Sequence, residues 1–191
     1  MAITESELKK QIKEGALRRV YFLYGEEAYL SGHYATQIAA KAVGKDELAA
    51  FNLQKFEGRD CTAEELEDAA EALPLMAETK CVVVRDYDAA GGGAANQERL
   101  LRLVSAPPES CVLVFWQDAV EADVKKSTKW KAFAAAVEKN GACVEFRRKS
   151  TADIVKLLCS GASRRGCRFQ PDNARLLVEQ CGDDLNLLLN E

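Results

Sequence analysis

Histidine occurs once in these 191 residues, at His33, and proline four times. With a single imidazole in mid-helix, a His-based metal site or a Ser/Cys–His catalytic pair would have to rest on that one residue, so neither is expected. No two cysteines form a CxxC pair. The seven present, Cys61, Cys81, Cys111, Cys143, Cys159, Cys167 and Cys181, are an odd number, which argues against a disulfide framework. Three of them fall in strand-like runs, where a reduced thiol packs as a small hydrophobe. No apolar run approaches the roughly 18 residues needed to span a bilayer, and the chain starts on an acidic, polar helix rather than a signal peptide. A soluble cytoplasmic protein with no membrane partner is expected. Positive charge is not in excess either: 26 Lys and Arg stand against 30 Asp and Glu, a net −4. General nucleic-acid binding is not expected from that balance.

A phosphate loop is also missing where the chain offers the place for one. In Arg19–Leu30, Val20, Phe22 and Tyr24 alternate with Tyr21 and Leu23 in a run apolar on both faces, as in a buried parallel strand. Gly25 supplies the exit turn, and Ala28–Val43 carries a helix. The loop between has one glycine and two carboxylates, Glu26 and Glu27, without lysine or a Ser/Thr for a metal. Two negative charges there complement the helix dipole and repel a phosphate. No cofactor is expected.

The rest of the first 147 residues alternates strands and helices. A helix opens at Ser6 and breaks at Gly15, with Leu8, Ile12 and Leu17 as its stripe. Phe51–Phe56 reads as a strand nearer an edge. Thr62 and Glu65 form a capping box for a helix running through Leu73 to Pro74. Lys80–Arg85, Cys111–Trp116 and Ala142–Phe146 are further strands; Gln97–Val104 and Lys125–Asn140 are helices. Asp86–Asn96, with its triple glycine, reads as a flexible loop. This alternation implies a parallel, doubly wound α/β sheet. After Arg148 the strands stop. Three helices follow, one from Ser150 or Thr151 to Gly161, one from Pro171 to Gly182, and one from Asp183 to Glu191. The last reaches Glu191 with no C-cap, which reads as a cut inside a longer protein.

Few residues invite a chemical role. Asp86 and Asp88 follow an apolar strand as an ATPase's metal-binding acids do, but without a phosphate loop they read as solvated loop carboxylates. Glu26 and Glu27 read as helix-start electrostatics rather than an acid–base pair. Lys125, Lys126, Lys129 and Lys131 read as a solvated face; Arg164, Arg165 and Arg168 in the tail could meet DNA or a neighbouring subunit.

Leu73-Pro74-Leu75-Met76 resists a bland reading. Proline stops the helix, and two large apolar residues follow in a short turn before Glu78. Either they tuck back into the core or they project as an apolar pair suited to a partner's pocket. Physics alone leaves both open.

Taken in order, YFLYGEEAYL, FNLQKFEG, ALPLMAETKCVVVRD, CVLVF and CGDDLNLLLNE resemble the delta subunit of the bacterial DNA polymerase III clamp loader. The resemblance covers nearly all of Arg19–Glu191 and rests on the ordered set, most of all Tyr24–Glu27, Leu73–Thr79 and Gly182–Glu191. It implies an AAA+-like fold: a degenerate nucleotide-type α/β domain (1–147) and a small three-helix lid domain (148–191). The helical collar domain would be absent. It implies a non-catalytic subunit that does not bind ATP and helps open the ring-shaped sliding clamp, the beta subunit, by planting a hydrophobic pair in a surface pocket. Here that pair is Leu75 and Met76, after Pro74; the family often has an aromatic where Met76 stands. The gamma/tau and delta prime subunits are the implied partners of the full-length protein, with DNA met only indirectly or weakly. Two other readings are an NTPase with an unconventional nucleotide site and a DNA-binding adaptor using the tail arginines.

Overall fold

The structure, a computed structural model, describes residues 2–45 and 48–190. The chain divides into two compact units, 1–146 and 147–191.

Five parallel strands form the sheet of the first unit: β1 Val20–Gly25, β2 Leu53–Glu57, β3 Lys80–Arg85, β4 Cys111–Trp116 and β5 Gly141–Phe146. Their order is β2-β3-β4-β1-β5. From β1 the chain crosses to the far edge at β2 and then works back through β3 and β4 to β5. Right-handed crossovers running in opposite directions place their helices on opposite faces. Accordingly α2 (Ala28–Val43) packs over β1, β3 and β4 on one face, with α1 (Glu5–Glu14) against it and β5. On the other face α3 (Ala63–Glu71), α4 (Gly93–Ser105) and α5 (Thr128–Asn140) cover Val20, Phe22, Val82, Val84, Leu113 and Phe115. Phe22 stacks on Trp130 at 5.7 Å and meets Phe133 edge-on at 5.0 Å. These wholly buried aromatics are each worth roughly 1.5–3 kcal/mol of burial. β2 pairs with β3 alone and is one of the two edge strands, β5 being the other.

Several boundaries differ from the sequence reading, each for a local reason. The cap of α1 is Thr4, whose hydroxyl and the Glu7 side chain close a capping box, so the helix starts before Ser6. Leu17 lies past its end. Residues 49–52 form a 3-10 turn (Ala49–Asn52) rather than strand, and β2 starts only at Leu53. α3 has the expected Thr62–Glu65 box and stops at Glu71, two residues before Leu73. α5 starts at Thr128, capped by Ser127. The glycine run is not a flexible linker: Gly92 and Gly93 take φ of 74° and 79°, a left-handed conformation that glycine adopts without a Cβ penalty, and α4 begins there. Asn96 Oδ1 accepts from Ala63 N at 2.9 Å, while Gln97 Nε2 donates to Ala90 O at 2.6 Å, pinning that loop.

In the second unit, α6 (Thr151–Arg164), α7 (Pro171–Cys181) and α8 (Leu185–Asn190) pack on one another. Ser150 caps α6, which runs past Gly161 because that glycine stays helical. Pro171 takes the first position of α7, where its missing N–H is not needed. Asp184, one residue later than expected, accepts from Asn186 N at 2.8 Å at the head of α8. Arg148 holds Asp183 through two bonds of 2.9 and 2.7 Å. Glu191, the expected helix end, lies outside the described residues. A helix of six residues, one of them the exposed Leu187, should open sooner than a strand buried on both faces. Hydrogen exchange should therefore be faster in Leu185–Asn190 than in Cys111–Trp116; equal protection would contradict this.

Candidate functional site

The end of β1 shows what Gly25 is for. Its φ is 124°, and a Cβ there would lie 2.3 Å from the carbonyl oxygen of Phe146. The glycine is required by the close approach of β5, and Glu27 N donates to that same Phe146 oxygen at 3.1 Å. One of the N–H groups that a phosphate would use is thus committed to the sheet. Above the strand ends lies an open cavity of about 520 Å³, lined by Tyr24, Gly25, Glu26, residues 118–126 and Glu145. Five carboxylates, Glu26, Asp118, Glu121, Asp123 and Glu145, face two lysines there. Lys125 is paired with Glu145 at 2.9 Å and Lys126 with Asp123 at 3.9 Å. The net field is negative, opposed to a polyphosphate.

Asp86 is not the solvated carboxylate expected. It is 3% exposed, and its Oδ1 accepts from the backbone N–H groups of Asp118, Ala119 and Val120 at 2.8, 2.9 and 3.0 Å. Burial alone would raise its carboxyl; the three donors, with Arg85 beside it, outweigh burial and hold it below the usual carboxylate range. Arg85 in turn is bonded to Asp118 and lies over the Trp116 ring at 5.3 Å. The carboxylate at the end of β3 is therefore spent on tying β3 to the loop after β4. Asp88 turns back on its own loop, accepting from Ala90 N at 2.9 Å. Among the described residues no group of three or more His, Cys, Asp and Glu is placed to hold a metal ion. Burial pushes the thiols of Cys111 and Cys143 up to about 11 and about 12, so they are packing groups and not nucleophiles. His33 is exposed on α2, stacked on Tyr29.

The turn from Ala72 to Thr79 is different in kind. Ala72 leaves the helix with ψ 132°, Pro74 blocks any continuation, and Lys80 Nζ donates to Ala69 O at the end of α3. Leu75 is held from the other side: Asn52 Nδ2 donates to its carbonyl at 3.0 Å, and its N–H donates to Asn52 Oδ1 at 2.7 Å. Met76 follows with φ 49°, a left-handed conformation costing an L-residue of this kind roughly 1–2 kcal/mol. The backbone is pinned and the side chains are not covered. Leu73 is 86% exposed, Leu75 49% and Met76 87%. Core packing of the pair, one of the two readings open on sequence, is excluded by those exposures. Phe51, at 68%, is the other large apolar side chain left in solvent by the described residues of the first unit. Sequence reasoning took Phe51 for a strand residue, Leu73 for part of a helix stripe, and missed Asn52. A polar residue between Phe51 and Leu53 was the available signal.

Comparison with known proteins bears on this arrangement. The family described as DNA polymerase III, delta subunit, matches residues 21–144. Curated protein sequences return no match. Among solved structures the chain is similar to the Bacillus subtilis DNA clamp loader delta protein, with 21% identity and a TM-score of 0.72, over 97% of this chain and 55% of that one. It is similar also to the Thermotoga maritima RuvB Holliday junction branch migration motor (11% identity, TM-score 0.59, 97% and 59% covered). A Thermotoga maritima DNA polymerase III gamma subunit-related protein matches at 14% identity and TM-score 0.50, over 89% and 57%. The chain thus spans little more than half the length of each. At these identities the likeness is one of fold.

Proposed function

The chain belongs to the DNA polymerase III delta subunit family, and on that premise we propose that it is a non-catalytic part of the replication clamp loader, binding the ring-shaped sliding clamp through Pro74, Leu75 and Met76. Its fold is AAA+-like, a parallel α/β sheet unit followed by three helices. The observation that carries the reading is the exposure of Leu75 and Met76 on a turn whose backbone is held by Asn52. A turn whose backbone is already held loses less conformational freedom on docking, so more of the burial energy of its side chains appears as affinity. Burying both would supply roughly 3–6 kcal/mol, at about 1.5–3 kcal/mol each. A wedge that fits only one state of the ring shifts the ring toward that state by its differential affinity, which is how such a pair would assist opening. The gamma/tau and delta prime subunits of the clamp loader are the further partners of this reading. The cytoplasm, where chromosomal replication takes place in bacteria, is the place of action that follows from the family; among the described residues no helix is long and apolar enough to cross a membrane.

Titrating the 191-residue chain against the purified sliding clamp of the same organism tests the reading. Saturable binding supports it. Absence of binding at about 100 µM, a concentration that would half-saturate an interaction of only about 5.5 kcal/mol, overturns it.

No ATP hydrolysis or binding is part of this proposal. Glu27 N is committed to Phe146, the N–H groups of 118–120 are committed to Asp86, and the two lysines lining the acidic cavity are paired with carboxylates. Millimolar ATP with Mg²⁺ should leave the melting temperature unchanged. A ligand at a hundredfold its dissociation constant stabilises by about 2.7 kcal/mol, a shift of several degrees that could not be overlooked. Such a shift would favour the NTPase reading.

A further inference from the structure

Among the described residues, the four large apolar side chains that the first unit leaves in solvent come from two segments well separated in sequence, Phe51 from the 3-10 turn and Leu73, Leu75 and Met76 from the turn after α3. One side chain joins the segments. Asn52 is 2% exposed, and its carboxamide offers Leu75 one acceptor and one donor, at 2.7 and 3.0 Å. These are the two bonds that a residue on a neighbouring strand would make with its backbone, supplied here by a side chain. The arrangement satisfies both main-chain groups of Leu75 without adding a strand, so the residue is held while the chain bends through 75–78. Met76, immediately after the held residue, takes its left-handed φ and faces solvent. Phe51 is bonded covalently to Asn52, so the same hydrogen bonds that fix Leu75 fix where Phe51 stands relative to it.

We propose that the clamp-docking surface has a second segment, the turn Ala49–Asn52: Phe51 is a further apolar contact, and Asn52 is a positioning residue that holds Leu75 and Met76 in their docking geometry before the clamp arrives. This rests on the clamp reading above. Without the Asn52 amide the turn from Ala72 to Thr79 keeps only its ends fixed, and docking must order it. The loss then falls on the presentation of the pair, not on a contact between Asn52 and the clamp.

The test is affinity of the 191-residue chain for the sliding clamp, with melting temperature and amide exchange measured on the same variants. Phe51→Ala should weaken binding about five- to thirtyfold with little change in melting, since the ring is in solvent in the unbound chain. Asn52→Ala should weaken it about tenfold or more and speed exchange of the Leu75 amide without speeding β3. Because Asn52 acts through the pair, its loss should cost clearly less when made in a Met76→Ala background. Should Asn52→Ala fail to fold, Asn52→Asp serves: it keeps the acceptor for Leu75 N–H, loses the donor to Leu75 O, and should give an intermediate loss. Wild-type affinity in Phe51→Ala or in the Asn52 variant overturns the proposal. So does an equal loss from the Asn52 change in both backgrounds, which a general structural role would give. If the unmodified chain does not bind the clamp, the clamp reading itself falls and this inference with it, an outcome distinct from any difference among variants.

Discussion

Replacing Leu75 and Met76 together by alanine is expected to weaken binding to the sliding clamp by about two orders of magnitude while the fold melts almost where it did. The expectation follows from where the two side chains stand. Met76 is 87% exposed and has nearly all its apolar area still to bury, so it carries the larger share. Leu75 is already half covered at 49%, and its share lies toward the lower end of the roughly 1.5–3 kcal/mol for full burial. A combined loss of about 3 kcal/mol corresponds to a factor near a hundred in the dissociation constant. Stability responds differently, because side chains in solvent contribute little to it. A third variant sharpens the contrast. Met76→Gly removes the anchor and also relieves a φ of 49°, so its stability should hold or rise slightly even as binding falls. An early melt of the double variant would mean the pair is part of the core. Undiminished binding by a well-folded double variant would place the clamp contact elsewhere. Either result removes the proposed role of this turn.

What the sequence shows of the fold follows how local each determinant is. β3 and β4 are found where they were expected, and α2 spans Ala28–Val43 as read, because unbroken apolar runs mark the strands and Gly25 and Gly44 bracket the helix, all local signals. The Thr62–Glu65 capping box is legible for the same reason; the Thr4–Glu7 box has the same spacing, but Ser6 beside it offers a competing start on sequence. The glycine run misleads because it looks like a linker, whereas its positive φ values are used to start α4, Gln97 donates to the carbonyls of Ala90 and Gly91, and Lys129 donates to that of Ala90.

The candidate turn was legible only in outline. Pro74 followed by Leu75 and Met76 marks an interrupted helix with apolar residues beyond it, and that much is sequence. Whether the pair projects or folds inward depends on Asn52, which lies 23 residues away and whose two hydrogen bonds no periodicity reveals. The exposure of Leu73 depends on α3 ending at Glu71, a matter of two residues that separates a buried stripe position from one 86% in solvent. The lack of a phosphate loop was easier to see, since that loop is a local motif and its missing lysine is a fact of the sequence. The role of Asp86 was not, because its partners are backbone N–H groups more than thirty residues on.

That carboxylate carries the largest stability effect expected outside the aromatic core. Asp86→Ala removes the common acceptor of three N–H groups and leaves Arg85 with one fewer carboxylate beside it. Hydrogen bonds to a charged group contribute about 1.5–3 kcal/mol each, but three donors on one oxygen do not add in full, and the loop at Asp118 and Ala119 is exposed enough for water to replace part of the loss. About 3 kcal/mol is the resulting expectation, a melting shift of roughly 6–12 °C for a chain of this size. Asp86→Asn keeps an acceptor and tolerates the positive φ of 54°, so it should lose less. The two differ from the native chain in their response to acid. The Asp86 carboxyl is held below its ordinary value in the folded chain, so its contribution is present above the unfolded carboxylate range and is lost as pH falls through the lowered folded value. Asparagine does not titrate there. Across a series of denaturation curves from pH 7 downward, the stability gap between the native chain and Asp86→Asn should therefore narrow as the pH drops below the usual carboxylate range. A gap that stays constant to low pH, or an Asp86→Ala variant as stable as the native chain, would show that this carboxylate does not tie β3 to the loop that follows β4.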